Sequence, residues 1–118
     1  MAYLMVFIGG GLGSLCRYGF AQWLGQYKEF PLGTFAANGV SCIILGALVA
    51  LASRQILPLE YRLLLITGFC GGFSTFSTFS NELVQLFKQG EWGVGFAYLL
   101  GSLLIGIAGI LVGMRLAE

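Results

Sequence analysis

The chain has 118 residues, 58% of them hydrophobic and only 9% charged, with 19 glycines, no histidine and a net charge of +1. Soluble domains carry about a quarter charged residues, so this composition indicates one all-α integral membrane domain over residues 1–118. The near-zero net charge leaves no basic field for a nucleic-acid partner, and the lack of histidine removes the usual metal ligand, general base and pH switch.

A membrane-crossing helix needs about 20 mostly apolar residues, and four segments meet that requirement. The first covers residues 3–24 and carries one charge, Arg17. Its start, MAYLMVFIGG, lacks the basic region of a cleaved signal peptide, so we read a retained span. The stretch GGGLGSLCRY does not complete G-x-G-x-x-G, because Ser14 stands where the third glycine belongs. The second span, residues 32–53, is uncharged and follows Pro31, a good first-turn residue. The third, residues 63–87, is charge-free until Glu82, and the fourth, residues 92–114, has no charge. Connections are short, which leaves no room for a soluble domain. Cys16, Cys42 and Cys70 are isolated in apolar segments and read as small buried thiols, not as a zinc site or disulfide framework.

Orientation follows Lys and Arg. Arg54, Arg62 and Arg115 fall on one face, Lys28 and Lys88 on the other, so the bias is slight and either orientation is open. Small residues four apart, such as Gly9 with Gly13, Gly68 with Gly72 and Gly109 with Gly113, favour close helix packing in lipid, as does Gly39 with Gly46. Together with the balanced charge they suggest an antiparallel, dual-topology homodimer whose twofold axis lies in the membrane plane.

Polar groups inside lipid are costly and mark function. The spans hold Arg17, Thr34, Asn38, Ser41, the hydroxyl set from Ser74 to Ser80, Asn81, Glu82, Tyr98 and Ser102. Chain direction sends Arg17, Asn38, Glu82 and Tyr98 toward one face, where Arg17 and Glu82 are candidates to pair. Near mid-membrane stands GGFSTFSTFSNE, residues 71–82. Its glycine pair suits either a continuous, closely packed helix or a break whose freed carbonyls meet a cation. Phe76 and Phe79 share a face, and composition alone favours packing. The interleaved hydroxyls fit another use, because phenyl edges are electropositive and hydroxyls and carboxamides donate hydrogen bonds to an anion.

Three motifs in order, GGGLGSLCRY at 9–18, PLGTFAANG at 31–39 and GFCGGFSTFSTFSNE at 68–82, make the chain similar to the Fluc (CrcB) fluoride channels over essentially its whole length. The resemblance implies a passive, fluoride-selective channel that expels toxic fluoride across a bacterial-type inner membrane. It implies an antiparallel homodimer with two pores, and Na+ held centrally at the helix breaks. On this sequence the fluoride pathway maps to Phe76, Phe79, Asn38, Ser77, Thr78, Ser102, Thr34 and Tyr98, and the vestibule charges to Arg17 and Glu82. Main-chain carbonyls of Gly71 and Ser74 map to the Na+ ligands. Ser74 stands where the family more often has threonine, and Gly106 where some relatives carry a hydroxyl. Two rivals have clear requirements. A proton-coupled drug exchanger needs a carboxylate deep in the membrane, yet the one intramembrane acid, Glu82, lies near a helix end. A purely structural subunit leaves the hydroxyls unexplained. No catalytic constellation is present, so an enzyme is not expected.

Overall fold

A backbone crossing hydrocarbon must satisfy its own hydrogen bonds, and a helix does so within one segment. The computed structural model describes residues 1–118 and contains four helical spans: Ala2–Leu24, Leu32–Ser53, Leu59–Lys88 and Trp92–Leu116. Each is long and apolar enough to cross a membrane, which makes this a multi-pass membrane protein. The longest dimension, 47 Å, exceeds the hydrocarbon thickness of about 30 Å, so the helix ends reach the headgroup regions. The only strand-like pairing is an isolated bridge between Tyr27 and Phe30 in the first connection.

Glycines decide which helices touch. The first helix lies against the first half of the third span, and the second helix against the fourth. A methyl group at Gly9 would strike the Leu64 carbonyl oxygen, and one at Gly13 the Phe69 carbonyl oxygen. Across the other pair, a methyl at Gly46 would strike the Ile110 carbonyl, and one at Gly113 the Ile43 carbonyl. Backbone thus meets backbone, the close approach that small residues permit where lipid removes any hydrophobic drive between helices.

The third span is not one regular helix. An α-turn at Leu59–Arg62 leads into a wide π-helical stretch, Leu63–Cys70, and a last α-turn, Gly71–Phe73. The chain then leaves the helix at Ser74 (ψ 156°) and Thr75 (φ −151°, ψ 123°) and resumes as Phe76–Lys88. The expected break is present, but later than the glycine pair suggested. Gly71 is helical (φ −62°, ψ −37°), and Gly72 serves contact instead, because a methyl there would strike the Gly10 carbonyl.

Only 19 of the 118 residues are buried, and long rows of leucine, isoleucine and phenylalanine lie exposed along the helices. A chain with so little core of its own needs lipid or protein over these faces. The small core that exists is Phe79, Leu86 and Tyr98, backed by Phe30, Phe35, Leu83, Val94 and Leu99. It joins the second half of the third span to the fourth helix. Cys70 is buried as expected, whereas Cys16 is exposed on the first helix and fills no gap.

Candidate functional site

The break opens two backbone ends within the third span, and side chains from the first and second helices close around them. Asn38 of the second helix meets Thr75 with both ends of its carboxamide. Its Oδ1 accepts the Thr75 N–H at 2.9 Å, and its Nδ2 donates to the Thr75 carbonyl at 3.4 Å. Thr75 then caps the following helix, its Oγ1 accepting the Thr78 N–H at 3.2 Å, the role for which threonine is suited at a helix start. On the other side, the Cys70 carbonyl accepts from the hydroxyls of Ser74 (2.8 Å) and Ser41 (3.3 Å). The Gly72 carbonyl accepts from Arg17 Nε at 3.1 Å. A cation there also suits the negative end of the half-helix that stops at Phe73.

Arg17 and Glu82 therefore do not pair. Each finds a nearer partner: Arg17 the freed Gly72 carbonyl, and Glu82 two hydroxyl donors. Thr34 Oγ1 donates to Glu82 Oε2 at 3.0 Å, and the Tyr98 hydroxyl to Oε1 at 2.8 Å. Tyr98 is completely buried, so this carboxylate is fixed from beneath. Above it lies a polar recess of about 200 Å³ lined by Gln26, Glu29, Glu82, Gln85 and Gln89, with Pro31 and Leu86.

A second recess, an open cleft of about 260 Å³, is lined by Asn38, Cys42, Ser74, Thr75, Phe76, Phe79, Ser102, Leu103 and Gly106. The two phenyl rings lie 6.2 Å apart between centroids at 46°, but they are placed differently. Phe76 is 79% exposed and Phe79 only 8%. Phe79 also packs on the Tyr98 ring at 5.0 Å, so it stands between the Glu82 recess and the cleft. Ser102 Oγ is buried and has no hydrogen-bond partner in the chain, although an unmatched buried hydroxyl costs about 1–3 kcal/mol.

Of the residues expected on the pathway, the cleft gathers Asn38, Phe76, Phe79 and Ser102. Thr34 and Tyr98 belong to the Glu82 cluster. Ser77 is exposed beside Thr75, with hydroxyl oxygens 3.4 Å apart, and Thr78 gives its backbone N–H to the cap. Thr75 and Ser41, counted among the polar residues of the spans but given no role of their own, act at the break. Ser41 follows Asn38 by one helical turn, a spacing that signals a shared face. Gln85 and Gln89 similarly follow Glu82 along one side of their helix.

The cation ligands expected at Gly71 and Ser74 can be tested against this geometry. The Ser74 carbonyl accepts no hydrogen bond within the chain, and Gly71 is exposed, with open space beside its α-carbon. No group of three or more Cys, Asp or Glu could hold a metal. The oxygens at the break are main-chain and hydroxyl oxygens, a type that suits a hard cation.

Residues 4–114 match the family model described as CrcB-like protein, Camphor Resistance (CrcB). The chain belongs to the CrcB family. Its CrcB relatives include a protein named fluoride-specific ion channel FluC from Phocaeicola vulgatus, 44% identical, covering 98% of this chain and 97% of the relative. Another of that name, from Pyrococcus abyssi, is 44% identical and covers 98% of this chain and 94% of the relative. A third, from Oceanobacillus iheyensis, is 39% identical over 97% of this chain and 89% of its own length. All three relatives are named as ion channels, not as enzymes.

Proposed function

We propose that this protein is a passive, fluoride-selective channel that lets the cell lose fluoride across its inner membrane. The observation that carries the reading is the cleft beside the break. It offers a buried Ser102 hydroxyl without a partner, the Asn38 carboxamide and two phenyl rings, in a chain whose relatives are named fluoride-specific channels. Hydroxyl, amide N–H and ring edges together can replace water around a small anion, with no fixed positive charge to trap it. The path runs from the recess at Glu82, past Phe79, into the cleft walled by Phe76, Ser102 and Asn38. Thr34 and Tyr98 act at its mouth by holding Glu82, and Ser77 and Thr78 extend the polar wall along the same helix.

The functional unit is an antiparallel homodimer with two pores, inserted in both orientations. Support comes from the slight Lys/Arg bias and from the cleft, whose Phe76 ring lies exposed and would be covered by a second chain. At the twofold axis, Gly71 and Ser74 carbonyls from both chains would hold Na+. The ion would supply fixed positive charge that holds the two breaks together, and the Ser74 carbonyl offered to it has no hydrogen bond within its own chain. The deciding experiment is fluoride efflux from liposomes holding purified protein, with the membrane potential clamped by a potassium ionophore. Rapid passive efflux is expected. Its absence in vesicles shown to contain folded protein overturns the reading.

A further inference from the structure

We infer that Asn38 is a positioning residue for the cation site: it fixes Thr75, and through Thr75 the Ser74 carbonyl, without touching the cation itself. This rests on the proposed function and deepens it, because the pathway role alone gives Asn38 no connection to Na+.

The argument starts from what the break leaves unsatisfied. Leaving the helix at Ser74 deprives Thr75 N–H of its usual carbonyl four residues back. Its partner is Asn38 Oδ1, at 2.9 Å. The Thr75 carbonyl is met by Nδ2 of the same side chain, so one carboxamide fixes the plane of both peptide units that flank Thr75. The unit on the amino-terminal side is Ser74 C=O with Thr75 N–H, a single rigid plane. Holding that N–H therefore aims the Ser74 carbonyl, which has no hydrogen bond of its own in the chain. Asn38 also lines the cleft, and a carboxamide has two N–H donors and an oxygen with two lone pairs. One N–H remains for the pathway, so the two roles are compatible in one residue. Asn38 thus links the anion cleft to the cation ligand through one peptide plane.

The test is Na+ titration of thermal stability in detergent, in Na+-free buffer balanced with a large organic cation, for wild type, Asn38→Ala, Asn38→Leu and Ser102→Ala. Asn38→Ala removes both contacts and is expected to raise the half-stabilising Na+ concentration about tenfold or more, the scale of one lost buried hydrogen bond. Asn38→Leu keeps the side chain's volume but neither hydrogen bond, so it is expected to raise the half-point as far as Asn38→Ala does. Ser102→Ala lines the same cleft but makes no contact with the break, so it should lower fluoride flux with no change in the Na+ half-point. An unchanged half-point in Asn38→Ala or in Asn38→Leu overturns the inference. If Asn38→Ala does not fold, Asn38→Leu decides alone on the same limits. Amide exchange at Thr75 reads the contact directly and separates the two proposals. If wild type shows no response to Na+, the cation reading fails, and the linkage to Na+ fails with it. Thr75 protection that then falls in Asn38→Ala leaves the channel reading and the break's geometry standing.

Discussion

Phe76 and Phe79 sit one helical turn apart, yet one is 79% exposed and the other 8%, and this difference predicts unequal consequences for the same change. Phe79→Ile should abolish most fluoride efflux and also lower stability by about 1 kcal/mol, the usual order for reshaping a packed apolar site. Phe76→Ile should impair efflux without loosening the packing of its own chain, where the ring has few neighbours. Efflux rates read beside thermal midpoints check both, and two variants that conduct normally would return the rings to packing. Thr75→Ala removes the cap on Thr78 N–H and should cost about 1 kcal/mol, seen as a midpoint lower by several degrees. Individual residues were the part of the site least legible in sequence. Arg17 and Glu82 looked like a pair because chain direction brings them to one face. Which partner each takes depends on helix rotation, and rotation gives Arg17 the Gly72 carbonyl and Glu82 the hydroxyls of Thr34 and Tyr98.

The four helical spans were readable because apolar runs of that length, interrupted by so few charges, have one structural use in a bilayer. The irregularity inside the third was readable only in kind. Glycine pairs and Ser/Thr clusters both weaken helices, and tertiary contact decides which one yields. Gly72 is held helical against Gly10, so the chain opens at Ser74, where Asn38 and Arg17 wait to satisfy it. The π-helical stretch Leu63–Cys70 left no mark in LLLITGFC that we could read. The glycine contacts make a separate prediction for helix pairing. Gly113→Ala would push a methyl into the Ile43 carbonyl and should destabilise the second and fourth helices' packing by about 1–3 kcal/mol. Gly93→Ala, with open space at its α-carbon, should be silent. Thermal unfolding in one detergent compares the two, and equal midpoints would refute the close-contact account.

For the whole molecule, the charge balance across the two faces predicts mixed insertion. A cysteine placed at either end of an otherwise thiol-free variant should be labelled from both sides of the cell membrane in comparable amounts. Adding two lysines to the connection that holds Lys28 should drive nearly all copies one way and suppress efflux, which expression of an oppositely biased copy should restore. A single orientation in the parent protein would contradict dual topology. The burial of only 19 residues carries a further consequence on the paired reading. Where association supplies most of the packing, folding obeys mass action, and stability depends on how many copies share a given area of lipid. The thermal midpoint should then climb with the protein-to-lipid ratio. At trace expression most copies would be solitary and open to proteolysis, so channel number would rise faster than linearly with synthesis, a built-in threshold set by dilution.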